Sequence, residues 1–209
     1  MDLLKSIHWI HHSCFRIKIN DITIYFDPWK IKNPIKADFI FITHDHYDHF
    51  SMSDIESIAD EKTTIILPDN IAGELSGYKI KKVKQGDVFN VGNIKVEVVP
   101  AYNVNKNFHK KSDNKVGYVL EIDGNRIYHA GDTDLIPEMK TFKNINIAFL
   151  PVSGTYVMTA EEAVKAALDI KPDIAIPMHY GTIIGTRMNA EKFAEELRGK
   201  IEVVILKEE

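Results

Sequence analysis

The chain has 209 residues, 44% of them hydrophobic and 27% charged, with a formal net charge of −4. That length suits one well-cored domain of ordinary globular composition, and the negative balance argues against a broad nucleic-acid footprint. Cys14 is the only cysteine, which excludes an intramolecular disulfide and a cysteine-rich zinc site, and no long apolar run suggests a signal peptide or membrane span, so a cytoplasmic protein is expected.

Residues 6–12 lead into the alternating run Phe15–Ile19, a half-buried strand. Asn20-Asp21 turns the chain, and Ile22–Phe26 returns as the second arm of a hairpin that ends at Asp27-Pro28-Trp29. The apolar run 38–42 reads as a buried strand. Residues 51–59 read as a helix with Ser51 or Ser53 as N-cap, and Thr63–Leu67 as a strand closed by Pro68. Short strands are expected near 79–83 and 94–99. Residues 102–115 form a polar loop without periodicity, followed by a hairpin of 116–122 and 126–130 about Asp123-Gly124.

A helix is expected between Asp134 and Lys143, with Pro137 in its first turn, then a strand at 147–151. Thr159-Ala160-Glu161-Glu162 is a capping box that opens a helix ending before Pro172. A buried strand at 173–177, a helix at 189–198 stopped by Gly199 and a closing strand at 201–206 complete the chain. No linker, low-complexity tract or repeat divides it, so one domain over 1–209 is expected.

The chemistry concentrates at Thr43-His44-Asp45-His46-Tyr47-Asp48-His49, directly after the strand 38–42. Imidazole nitrogens and carboxylate oxygens suit zinc, manganese or iron. In an extended segment His44 and His46 point the same way, so both reach one ion, and Asp48 and His49 lie where a second ion would sit. Other strands also end in candidate ligands. Asp132 follows the strand 126–130, His179 follows 173–177, and His109 lies in the polar loop. Ligands placed just past strand ends are what an open sheet needs to build a site along one edge.

The order H-x-H-x-D-H after a core strand resembles the metallo-β-lactamase superfamily. That resemblance implies a four-layer αββα sandwich with the metal site at one edge of the sheets. It also implies a ligand set. His44, His46 and His109 bind one ion, Asp48, His49 and His179 a second, and Asp132 bridges both. Further segments are similar to the branch containing ascorbate-6-phosphate lactonases and phosphodiesterases, namely Trp9–Ser13, Phe26–Trp29, Leu150–Gly154 and Pro177–Thr182. His11 departs from that branch, which usually has glycine there.

These ligands imply two divalent ions, zinc first, that use a bridging hydroxide to cleave a phosphodiester or lactone in a small anionic substrate. Asp48 and Asp132 are assigned to orienting the water or taking its proton. Asp27 is assigned to orienting a ligand imidazole. Lys110 and Tyr180 are candidate substrate contacts, Lys110 because lysines 106, 110, 111 and 115 flank His109. His8, His12 and His129 are expected to be packed or hydrogen-bonded, and Cys14 to be an inert core residue. The alternatives are a nuclease, for which no basic arm is visible, and a non-catalytic metal-binding protein, against which the complete ligand set speaks. A diiron reductase would place glutamate where His46 stands.

Overall fold

The apolar runs expected as strands become the two sheets of a mixed α/β fold. In the computed structural model, which describes residues 3–209, the chain clusters into two units. One extends to Lys84 and takes back Leu206–Glu209, and the other is Gln85–Ile205.

The first unit is a six-stranded sheet whose spatial order is its chain order. Its strands are β1 (Ile7–His11), β2 (Cys14–Ile19), β3 (Ile22–Phe26), β4 (Phe39–Phe41), β5 (Thr64–Pro68) and β6 (Lys79–Val83). The first three pair antiparallel as a meander, and β3 to β6 pair parallel. Parallel strands are covered on both faces, which is why β4 and β5 read as unbroken apolar runs. Helix α1 (Met52–Ile58) starts at Ser51, whose hydroxyl accepts from the amide of Asp54. It sets Ile55 and Ile58 into a core with Ile40, Ile42, Ile65 and Leu67. The C-terminal residues close on this sheet. The Glu209 amide donates to the Trp9 carbonyl at 3.0 Å, and Arg16 Nη2 lies 2.7 Å from Glu209 Oε1.

The second unit is a seven-stranded sheet in the order β13-β12-β11-β10-β9-β8-β7. Strands β7 (Val88–Val91), β8 (Ile94–Pro100), β9 (Val116–Ile122) and β10 (Asn125–His129) form an antiparallel meander. From β10 the pairing is parallel through β11 (Ile147–Pro151), β12 (Ile174–Met178) and β13 (Glu202–Val203). Helix α2 (Ala160–Ile170) has the expected capping box, with Thr159 and Glu162 each holding the other's amide. Its buried stripe of Ala163, Val164, Ala166, Ala167 and Ile170 follows the helical period. Helix α3 (Arg187–Leu197) buries Ala190, Phe193 and Leu197.

Three expectations about elements change. The helix between 134 and 143 is a 3₁₀ segment, Pro137–Thr141. Within that segment only Met139 is buried, so a longer helix would have no apolar face to pack. The closing strand is only Glu202–Val203, because Leu206 onward returns to the first unit, where Glu208 bridges Trp9. The third helix starts at Arg187 rather than 189, with Thr186 as its N-cap.

Candidate metal centre

In the first unit, the ligand loop leaves the C-terminal end of the parallel strand β4. The amides of His49 and Phe50 both donate to the His46 carbonyl at 2.9 Å, a turn that folds His49 back beside His44. The ring centroids of His44 and His46 are 4.6 Å apart, and those of His44 and His49 are 4.1 Å apart. His44, Asp48 and His49 are buried and His46 is half-buried.

Asp27 organises this loop from beneath and has no exposed surface. Its Oδ1 accepts from the Thr43 amide at 2.8 Å, and its Oδ2 accepts from the Thr43 hydroxyl at 2.7 Å. The same Oδ2 lies 2.7 Å from His49 Nδ1. A carboxylate offers only lone pairs, so His49 carries its hydrogen on Nδ1 and its ring lone pair on Nε2. Thr43 passes the same order to His44. Its hydroxyl hydrogen goes to Asp27, so its oxygen accepts from His44 Nδ1 at 2.9 Å, which leaves the ring lone pair of His44 on Nε2. Pinning Nδ1 in this way is the usual support for imidazoles that ligate through Nε2.

In the second unit, His109 is buried despite its lysine-rich neighbourhood. Asn103 folds the loop around it. The Asn103 amide donates to the His109 carbonyl at 2.6 Å, and Asn103 Oδ1 accepts from the His109 amide at 3.0 Å. His109 Nδ1 lies 3.2 Å from Asn103 Oδ1 and 3.2 Å from the Tyr156 carbonyl. Both are acceptors, so Nδ1 carries the hydrogen and Nε2 offers a lone pair. That Nε2 is 3.3 Å from Asp132 Oδ2.

His179 follows β12 at φ +59°, a left-handed backbone that histidine seldom adopts. Its Nδ1 is 2.9 Å from the Ser153 hydroxyl, and its Nε2 is 3.1 Å from the same Oδ2 of Asp132. Asp132 is 3% exposed.

At His109 this tautomer sets the Nε2 lone pair toward the Asp132 oxygen, an arrangement that a cation between them would satisfy. With ligand bonds of about 2.0–2.1 Å, neighbouring donor atoms of a tetrahedral zinc site stand about 3.3–3.4 Å apart. The separations about Asp132, 3.1 and 3.3 Å, fit that edge. The donor sets therefore fit divalent ions of this kind.

Lys106 pairs with buried Asp134 at 2.5 Å, Lys111 pairs with Glu138 at 2.9 Å and Lys115 is buried, whereas Lys110 is exposed. Tyr180 is buried beside His179, and burial pushes its phenol up to about 12, so it stays protonated at neutral pH. Cys14 is fully buried in an apolar setting that pushes its thiol well up, as an inert core residue requires. His11 sets its Nδ1 3.2 Å from Glu208 Oε1 and its ring 5.2 Å from that of Trp29, so it helps hold the C-terminal segment. The sequence leads one to expect a packed or hydrogen-bonded ring at His12. It is fully buried, and its Nε2 lies 3.2 Å from Asp48 Oδ2.

Comparison with known proteins decides the family. A family described as the beta-lactamase superfamily domain matches residues 6–179. The chain belongs to this superfamily. It is similar to a UPF0173 metal-dependent hydrolase of Methanopyrus kandleri, 30% identical with 96% of each chain covered. Another, from Enterococcus faecalis, is 35% identical, with 90% of this chain and 92% of the relative covered. A crystal structure from Parabacteroides distasonis, whose name proposes a metal-dependent hydrolase, is 36% identical with a TM-score of 0.87 and covers 97% of this chain and 93% of its own. Among the described residues no helix is long and apolar enough to cross a membrane.

Proposed function

We propose that the protein is a dinuclear metal-dependent hydrolase that cleaves an ester-type bond, a phosphodiester or a lactone, in a small anionic substrate. The two units act as one hydrolase domain, and the enzyme is cytoplasmic. The observation that carries the reading is the shared oxygen of Asp132, which faces both His109 Nε2 and His179 Nε2. His44, His46 and His109 would hold one ion, Asp48, His49 and His179 would hold the other, and Asp132 would be the ligand they share. Within the first unit the donor atoms of Asp48 and His49, and within the second those of His109 and Asp132, lie within 4.8 Å of one another, which supports this assignment.

Bound divalent ions supply the charge that activates water near neutral pH and stabilises a developing oxyanion. The chain's own residues do the rest. Asp27 and Thr43 fix the tautomers of His49 and His44, and Asn103 and the Tyr156 carbonyl fix that of His109. Two carboxylates against two divalent ions leave the centre net positive, which favours an anionic substrate. Asp48 and Asp132 orient the attacking water and take its proton. Tyr180 donates a hydrogen bond to the substrate, and exposed Lys110 steers it toward the centre. Zinc is the first choice of ion, with manganese and iron next.

The test is a screen of zinc-, manganese- and iron-loaded protein on phosphodiesters and lactones. The reading expects turnover that Asp132→Asn lowers by about 100-fold or more. It expects Lys110→Ala to raise KM more than it lowers kcat. Turnover that survives Asp132→Asn, or that persists after chelation, would overturn it.

A further inference from the structure

His12 stands outside the ligand set that the sequence pattern implies, and the first unit builds it into the same centre. It occupies the tight turn between β1 and β2, where the ladder shifts register between Trp9 and His11. Its φ is +50°, a backbone region that favours glycine and asparagine, yet the residue there is a bulky imidazole. The turn is fixed in place by the Trp9 indole, whose Nε1 donates to the His12 carbonyl at 2.9 Å. The ring itself is set by two edge-on neighbours, Trp29 at 5.5 Å and His49 at 5.9 Å between centroids.

That placement aims Nε2 at Asp48 Oδ2, 3.2 Å away, and the same oxygen is 3.7 Å from His49 Nε2. The Nδ1 hydrogen of His49 is committed to Asp27, so His49 turns a lone pair toward the group. These two spacings bracket the edge of about 3.3–3.4 Å between donor atoms of a tetrahedral zinc site.

We propose that His12 is an additional ligand of the second ion, with Nε2 as its donor atom beside Asp48 and His49. The inference rests on the dinuclear reading above, and adds to that ion a neutral ligand that the superfamily-like pattern does not contain. One neutral ligand more raises the ion's affinity without changing the net charge of the centre.

The experiment is a titration of metal-free protein with zinc and, separately, with cobalt(II), on wild type, His12→Asn and His12→Gln. Asparagine tolerates the left-handed turn but is too short to reach the ion, and glutamine keeps the polar bulk. Equal melting temperatures of the three metal-free proteins show that the fold is intact, and one intact variant suffices. The wild type is expected to bind two ions. In the variants the weaker-bound ion should lose affinity by more than about 100-fold, beyond the 10–100-fold typical of a group that only supports a ligand. The visible cobalt spectrum of that site should change in intensity while that of the other site is retained. Two ions bound with wild-type affinity and spectrum in an intact variant would overturn the role of His12 alone. A wild type that binds no ions would overturn the dinuclear reading itself.

Discussion

One carboxylate oxygen, Oδ2 of Asp27, lies 2.7 Å from Nδ1 of His49 and accepts from the Thr43 hydroxyl at the same distance. Asp27 is wholly buried and sits at φ +43°. In Asp27→Asn, Oδ2 becomes either an amide nitrogen, which faces two donors with hydrogens of its own, or an oxygen whose partner nitrogen faces the Thr43 amide. Each choice sets a donor against a donor. The substitution should cost about 1–3 kcal/mol of stability and weaken one ion by about 10–100-fold. Chemical denaturation of the metal-free protein reads the first effect and zinc titration the second. Unchanged zinc affinity would show that His49 does not depend on Asp27.

On the other unit, Ser153 stands to His179 as Asp27 does to His49, and Gly185 confines it. A Cβ on Gly185 would lie 2.7 Å from Ser153 Cβ and 3.1 Å from its Cα, at a φ of +68°. Gly185→Ala must therefore displace Ser153 and release His179 Nδ1. Overpacking of this kind costs about 1–3 kcal/mol. Ser153→Ala removes only the hydroxyl partner, so it should cost about 1 kcal/mol. Both variants should weaken zinc binding, Gly185→Ala more. A Gly185→Ala protein with wild-type melting temperature and zinc affinity would contradict this coupling.

Gly117 in β9 is held by backbone rather than by side chains. A Cβ there would sit 2.8 Å from the His129 carbonyl oxygen and 2.9 Å from that of Ala130, just ahead of Gly131-Asp132. Both are backbone oxygens, which cannot swing away as the end of a side chain would. Gly117→Ala should destabilise by about 1–3 kcal/mol or more and lower the melting temperature by several degrees. A melting temperature within about one degree of wild type would show that the strands give way.

The Arg126 guanidinium grips Glu97 with two hydrogen bonds, 2.9 and 3.1 Å, and holds its carboxyl below the usual value of 4.5. The folded chain therefore takes up this proton at lower pH than the unfolded one. The stabilisation is full above 4.5 and is lost as pH falls through the depressed folded value. For a partly exposed pair it is worth about 1 kcal/mol. Urea unfolding of metal-free wild type and Glu97→Gln should differ by about that much near neutral pH, and the gap should narrow in acid. A gap independent of pH would mean that the loss is packing, not charge.

Ligand-type residues crowded into one stretch are legible, because their density has no other use in a chain. His44, His46, Asp48 and His49 stand out for that reason, and the apolar run before them marks the strand that carries them. Asp27 is legible as a carboxylate that orients a ligand imidazole, but not which imidazole it holds. Its three contacts depend on β3 pairing parallel with β4, which brings it beneath Thr43. His109 sits in a stretch whose composition suggests solvent, and its burial comes from the Asn103 clamp, which has no periodic signature. His12 reads as a packed or hydrogen-bonded histidine because nothing in its spacing points to Asp48, and the β1–β2 turn makes the approach. Among the elements, β7 escapes notice because its four residues alternate only weakly about Asn90. The segment after Pro137 has helical composition but only one turn's worth of buried residues to pack.

The central claim is that this chain holds two ions, bridged by Asp132. The most direct test is elemental analysis of protein purified without chelator or histidine tag, with Asp132→Ala beside it. The account predicts about two equivalents of zinc, manganese or iron per chain, falling sharply in the variant. No more than a trace in the wild type, even after reloading with each metal, would contradict it.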